Sequence, residues 1–315
     1  MDKQFLEDVK TGLTSSPKFL SSKYFYDEAG DKLFQKIMAL DEYYLTDCEH
    51  EIFTSHRATL LDHFVSNCDL FHLVELGAGD ALKTKVLIKY FLDQGAAFEY
   101  NPIDISASAI DQLTEDLNHS LPQLSVVFMI HEYFAALEDM SHKSTCKKVI
   151  LFLGSNIGNF SEKEADVFFR HLADVLQPGD QLLTGFDLKK DPNVILAAYN
   201  DSKGVTQEFN LNLLRRINRE LHADFEVGQF YHYPLYDPVS GAARSYLISR
   251  KKQKVHISTN PTLIKFEKDE PVFMEISQKY NVDDIENYAA RAGFRITENF
   301  FDKRKYFLNS LWELK

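Results

Sequence analysis

The three cysteines in 315 residues, Cys48, Cys68 and Cys146, stand too far apart to form a C-x-x-C pair. This excludes both a disulfide framework and a zinc site as the organising device. Reduced thiols and a cytoplasmic location are the expectation. No stretch approaches the roughly 20 apolar residues of a membrane span, and the N-terminal residues lack the apolar core of a secretory leader. Positive charge is also scarce. Lys and Arg number 35 against 47 Asp and Glu, a formal net charge of -12 whose field repels phosphate backbones and anionic membranes. Neither nucleic acid nor membrane is therefore expected as a partner. Internal repeats, low-complexity tracts and Pro/Ser-rich linkers are missing too, while a hydrophobic content of 44% suffices for a sizeable core in one large domain or two.

What is present is organised around Val74-Glu75-Leu76-Gly77-Ala78-Gly79-Asp80. The apolar run 71–76 reads as a buried parallel strand and 82–93 as an amphipathic helix. Gly77 and Gly79 permit a tight turn and a close backbone approach to a ligand at the carboxyl edge of that strand, where open α/β sheets bind small molecules. A dinucleotide fingerprint would place a third glycine at position 82, where Leu82 stands, which argues against a nicotinamide enzyme. An ordinary strand-to-helix turn remains the competing reading.

Strand and helix then alternate. Strands at 99–104, 124–129, 148–153 and 181–187 are interleaved with helices at 107–118, 133–140 and 162–176, the pattern of a parallel sheet covered on both faces. Ahead of it, residues 1 to 56 read as short helices around a loop. From 188 to about 280 the rhythm breaks. Helices at 192–200 and 205–221 are followed by period-2 stretches at 243–249, 254–258 and 271–277, an α+β unit inserted in the sheet domain. Helix 282–292 and strands 294–300 and 305–313 close the chain. The fold class is α/β: a doubly wound, mostly parallel Rossmann-like sheet domain, 48–189 plus 280–315, with an inserted α+β domain formed by 1–47 plus 190–279.

Polar residues collect at the strand ends. Asp104 can accept both hydroxyls of a ribose, or serve as an acid favouring the dipole of the following helix. Glu132-Tyr133 can hold an adenine ring, or simply begin a helix with a buried ring. Leu153-Gly154-Ser155-Asn156-Ile157-Gly158-Asn159 places two glycines directly after a buried strand, which is costly unless the backbone is needed close to something. Asn159 offers a donor and an acceptor for an amino acid's carboxylate or amine; as a helix cap it competes with the better placed Ser161. Tyr26 and Tyr43 sit in aromatic clusters where a half-buried packing role is the ordinary one.

Taken together, Lys23-Tyr24-Phe25-Tyr26-Asp27, Glu42-Tyr43-Tyr44, the two glycine loops, Asp187-Leu188-Lys189-Lys190-Asp191-Pro192, Phe209-Asn210, Asn218-Arg219-Glu220-Leu221 and Met274-Glu275-Ile276-Ser277 resemble the class I S-adenosylmethionine-dependent methyltransferases. Within them the set is similar to the histidine-specific Nα-methyltransferases of ergothioneine biosynthesis, over nearly the whole chain. The resemblance implies a cofactor pocket for S-adenosylmethionine lined by Tyr26, Gly77, Lys83, Asp104, Glu132 and Tyr133. It implies an amino-acid site of Tyr43, Gly154, Asn159 and Tyr199 for the backbone groups, with Tyr26 and Asn159 orienting the amine. Glu275 and Ser277 would read the imidazole, which makes chemical sense: a carboxylate accepts from one ring nitrogen and a hydroxyl adjusts to the other, and two-residue spacing puts both on one face of a strand. Successive transfers to one nitrogen, giving a trimethylated betaine, are implied for a monomer acting on a small amino acid.

Three residues depart from the family pattern. Glu132-Tyr133 replaces the usual Asp-Phe, and Ser245 replaces a methionine beside the substrate ring. A smaller, polar wall puts side-chain specificity in doubt, so methylation of tryptophan, tyrosine or another amine is an alternative. A second is a non-catalytic protein that binds S-adenosylmethionine.

Overall fold

The computed structural model describes residues 3–66, 68–104, 107–259 and 261–315. The chain divides into two compact units, one of Leu45–Leu188 with Lys279–Lys315, the other of Met1–Tyr44 with Lys189–Gln278.

The first unit is built on a seven-stranded sheet. Its strands are β1 (Phe71–Leu76), β2 (Phe98–Asp104), β3 (Met129–Ile130), β4 (Lys147–Phe152), β5 (Gln181–Asp187), β6 (Phe294–Phe301) and β7 (Phe307–Leu314). They lie in the order β6-β7-β5-β4-β1-β2-β3. The strands β1 to β5 run parallel, and β6 and β7 are the antiparallel closing pair. The α/β class read from the strand–helix rhythm is the one observed. The chain moves outward from β1 through β2 to β3 and then returns to β4 on the other side of β1. A doubly wound sheet opens a ligand crevice at such a reversal, and the loops after β1 and β4 both end on it.

Alternation along β1 sorts its side chains. Val74 and Leu76 join Ile150, Phe152, Phe169 and Trp312 in one core. Phe71 turns the other way, onto Phe64 and Phe91. Two elements differ from the sequence reading. The stretch 124–129 forms only the two-residue β3, plus a single bridge from Val126 to Tyr100, because it lies at the sheet edge with one pairing partner. Leu45–Phe64 is one 20-residue helix rather than short pieces. Its buried face includes Cys48 and Glu49, which blurs the apolar stripe that announces a helix.

The chain leaves the sheet after β5 and returns at Lys279. Both passages are tied inside this unit: Lys279 pairs with Asp187 at 2.8 Å, both side chains fully buried, and the Tyr280 amide donates to the Asp187 carbonyl at 3.0 Å.

The second unit carries a four-stranded sheet in the order Lys18–Phe19, Pro271–Gln278, Ala242–Ser249, Phe230–Asp237, and a hairpin of Gln253–Ile257 with Thr262–Phe266. The helix Val205–Leu221 buries Phe209, Leu213, Leu214, Ile217 and Leu221 in a core shared with Phe5, Val9, Leu247 and Met274. The strand Phe230–Asp237 was not expected. It carries Pro234 and lies at the sheet edge, where a residue without an amide hydrogen is tolerated.

Glu75 is a buried acid on β1. Thr84 donates to it at 2.7 Å and the Tyr100 hydroxyl donates to its other oxygen. Burial, only partly offset by these donors, pushes its pKa up to about 7. Between its ordinary value and pH 7 the unfolded chain loses this proton while the folded chain keeps it, so this group's contribution to stability is present at low pH and lost as pH rises through that window. The difference in unfolding free energy between the wild type and E75Q should therefore shrink by roughly 3 kcal/mol from pH 4.5 to 7.5. Urea denaturation across that range measures it; a constant difference means that Glu75 ionises normally in the fold.

Candidate functional site

The loops after β1 and β4 are held in conformations that L side chains rarely adopt. Gly77 has φ +73 and Gly154 φ +69. A Cβ on Gly77 would lie 2.8 Å from the Tyr133 hydroxyl, and one on Gly154 would lie 3.3 Å from Lys83 Nζ. Both positions thus favour glycine for conformation, and Gly77 for space as well. Asp104, at the end of β2, accepts from the Gly79 amide at 3.3 Å. Gly77, Lys83, Asp104, Tyr133 and Gly154 are in this way gathered at the crevice where β1 and β4 part. Burial, with the Asp104 and Glu132 carboxylates nearby, raises the Tyr133 pKa and keeps its hydroxyl protonated. Glu132 precedes the helix Tyr133–Lys143, is exposed, and makes no capping bond through its side chain.

After β4 the chain passes through Ser155, at φ +57, into a 3-10 turn over Asn156–Asn159. The next helix, Glu162–Val175, is capped by Ser161, which forms a capping box with Glu164. That cap leaves the half-buried Asn159 side chain without a capping duty.

One residue of this site escaped the sequence reading. Glu49 lies on the helix Leu45–Phe64 and is fully buried. One of its oxygens accepts from Lys83 Nζ and, at 2.9 Å, from the Gly154 amide. The other accepts from Asn309 Nδ2 at 2.8 Å. A Cβ on Gly185 of β5 would come within 2.5 Å of it, so that glycine makes the room. A signal did exist. Leu45, Cys48, Glu49, Ile52 and Phe53 repeat at helical spacing, and a carboxylate in such a stripe needs buried partners.

The residues expected to meet an amino acid's side chain lie in the second unit. In the sheet, Glu275 is directly opposite Ser245, and Ser277 opposite Ala243, so Glu275, Ser277 and Ser245 share a face. The Tyr199 hydroxyl donates to Ser277 Oγ at 2.7 Å. Ser245 Oγ lies 3.2 Å from Nε2 of the buried His232; burial pushes that imidazole down to about 4, against the pull of Asp201. Tyr26 and Tyr43 belong to a separate aromatic group, with ring centroids 5.6 and 6.3 Å from that of Phe34. Next to Tyr26, Asp27 caps the helix Glu28–Met38 and is gripped by Asn212 at 2.8 Å and Arg219 at 2.6 Å. Burial works to raise its pKa, but Arg219, the Gly30 amide and Asn212 outweigh that and hold the carboxyl below its usual range.

The glycine cradle, the acid at the end of the second strand and the hydroxyl facing Gly77 fit an adenosine-bearing cofactor. Residues 5–314 match the model of a family described as histidine-specific, SAM-dependent methyltransferases. The chain is 33% identical to the histidine N-alpha-methyltransferase of Mycolicibacterium smegmatis over 94% of its own length and 90% of that protein's. It is 30% identical to ergothioneine biosynthesis protein 1 of Neurospora crassa, over 96% of this chain and 35% of that one. An L-tryptophan methyltransferase of Psilocybe serbica is 26% identical over 96% and 91%.

Replacing Glu49 by Ala strands the Lys83 ammonium and leaves the Gly154 amide without its acceptor. A loss of about 3–5 kcal/mol of unfolding free energy is expected, the typical cost of breaking a buried pair from one side. Chemical denaturation tests this, and a loss below about 1 kcal/mol, the range of a surface pair, contradicts it.

Proposed function

Because this chain belongs to the family of histidine-specific, S-adenosylmethionine-dependent methyltransferases, we propose that it methylates the α-amino nitrogen of L-histidine in successive transfers, giving the trimethylated betaine. The observation that carries the choice of substrate is the placing of Glu275 and Ser277 on one face of a strand, with Ser277 already receiving the Tyr199 hydroxyl. A carboxylate flanked by hydroxyls suits a ring that presents a donor and an acceptor nitrogen.

On the sheet unit, Gly77, Lys83, Asp104, Glu132 and Tyr133 serve the cofactor, Asp104 at the ribose and Glu132-Tyr133 about the adenine. Gly154 and Asn159 serve the amino acid. On the second unit, Tyr26 serves the cofactor and the amine, Tyr43 and Tyr199 the amino acid's backbone groups, and Ser245, Glu275 and Ser277 its side chain. When bound, S-adenosylmethionine supplies a methyl group on a sulfonium, which is itself a good leaving group. The amine must arrive unprotonated. Its lone pair would accept the methyl group that the sulfonium supplies, leaving a neutral thioether, and each of the first two products would shed a proton to solvent before the next round. The third product is quaternary and has none to lose. Little acid–base work remains, so the residues act by alignment, an effect that can reach roughly 7–11 kcal/mol. Asn159 and Tyr26 are each assigned to orienting the amine, since an amide or a phenol can do so without a fixed charge that would trap the final cation. The reaction is assigned to a monomer in the cytoplasm, in keeping with three free thiols.

Methylation of tryptophan is the second reading, favoured by the tryptophan-methylating relative. Mass spectrometry of reactions with each proteinogenic amino acid separates the two. Histidine carrying three added methyl groups on the α nitrogen is expected; a ring-methylated histidine, or methylation of tryptophan in its place, overturns the proposal. Glu275→Ala should lower kcat/KM for histidine roughly 10- to 100-fold, the range for losing a hydrogen bond to a charged group. Its affinity for the demethylated cofactor should be unchanged, and parallel losses of both contradict the assignment.

A further inference from the structure

We propose that His232, acting through the Ser245 hydroxyl, is a positioning residue for the side-chain end of the amino-acid site, and that the pair selects a side chain with hydrogen-bonding groups over an apolar ring. This deepens the proposed function and rests on its assignment of Glu275 and Ser277 to the substrate side chain.

The sheet register carries the argument. Ser245 stands in the middle strand, directly opposite Glu275 on one side and Pro234 on the other. Residues directly opposite share a face, and diagonal neighbours two residues away remain within reach of a long side chain. His232 is such a diagonal neighbour, two residues before Pro234 and paired with Leu247. Its Nε2 meets Ser245 Oγ at 3.2 Å. Ser245 is 2% exposed and His232 9%, so neither has water as a ready alternative partner.

A serine hydroxyl rotates freely and can offer its hydrogen or a lone pair in any of several directions. Tying it to a buried imidazole removes that freedom. Burial keeps the imidazole neutral around pH 7, so no charge is added opposite Glu275, and the pair works as a neutral unit in which the ring tautomer sets whether the hydroxyl donates or accepts. Ser277 is treated in the same way from the other end of the face, where Tyr199 donates to it. The carboxylate of Glu275 therefore has a hydroxyl of defined orientation directly across from it and another two residues along its own strand. A face so built favours a side chain that can complete its hydrogen bonds, and a ligand lacking them leaves buried polar groups unpaired.

The test is steady-state kinetics at saturating S-adenosylmethionine with His232→Leu, His232→Gln, Ser245→Ala and the Leu/Ala double variant, with histidine and tryptophan as substrates. His232→Leu and Ser245→Ala should each raise KM for histidine about tenfold or more, with kcat within about threefold. The histidine-to-tryptophan preference should fall by a similar factor. His232→Gln, whose amide can offer a donor or an acceptor near the Nε2 position, should recover most of the loss. The double variant should be no worse than either single one, because the two side chains act as a unit. An unchanged KM in folded His232→Leu, failure of His232→Gln to recover, or multiplied effects in the double variant overturns the inference. If His232→Leu does not fold, Ser245→Ala and His232→Gln decide it by the same criteria. If the wild type methylates a different amino acid, the histidine reading falls, and the same KM comparison made with that amino acid still decides the role of His232.

Discussion

The sheet unit depends on a buried carboxylate that the sequence analysis did not single out. Glu49 sits beneath the crevice between β1 and β4 and ties four pieces of chain together: its own helix, Lys83 after the first glycine loop, the Gly154 amide of the second loop, and Asn309 of β7. Burying a carboxylate is expensive unless cation and donors satisfy it. Once they do, the same low dielectric makes the arrangement stiff. The two loops at the reversal of the sheet are thereby fixed with respect to each other, and the glycines at 77 and 154 let the Tyr133 hydroxyl and the Lys83 ammonium approach the backbone there.

The second unit uses neutral groups where the sheet unit uses an ion pair. Its polar face is made of hydroxyls held by side-chain partners, the half-buried Tyr199 for Ser277 and the buried His232 for Ser245, around one carboxylate. The division suits the proposed chemistry. A reaction that ends in a quaternary cation is better served by neutral hydrogen-bonding groups than by a fixed carboxylate at the nitrogen. The fixed geometry supplies the rate through alignment.

Much of this was legible in the residues, for identifiable reasons. The alternation of strand and helix from 71 to 187 follows from runs buried on both faces, which read clearly in any parallel sheet. Gly77 and Gly154 were legible as turn glycines, and both have positive φ; Asp104 was legible as a strand-end acid with two readings, a ribose acceptor or a helix-end acid. Glu275 and Ser277 stood out by two-residue spacing once the family resemblance was in view. What stayed hidden was non-local. Glu49 is a charged residue in an apolar stripe, and its partners lie 34, 105 and 260 positions away. The strand Phe230–Asp237 was concealed by Pro234, and with it went His232, whose relation to Ser245 exists only through the register of two strands. The two-residue β3 failed the other way, since an apolar pattern at a sheet edge does not guarantee pairing.

The central claim is that the charge on Glu49 holds the cofactor side of the crevice in its working shape. Glu49→Gln keeps the size of the side chain and one acceptor while removing the charge, so calorimetric titration of this variant with S-adenosylhomocysteine tests the claim directly. A dissociation constant raised about tenfold or more over the wild type, in a variant that still melts cooperatively, is the predicted result. An unchanged dissociation constant would contradict the account.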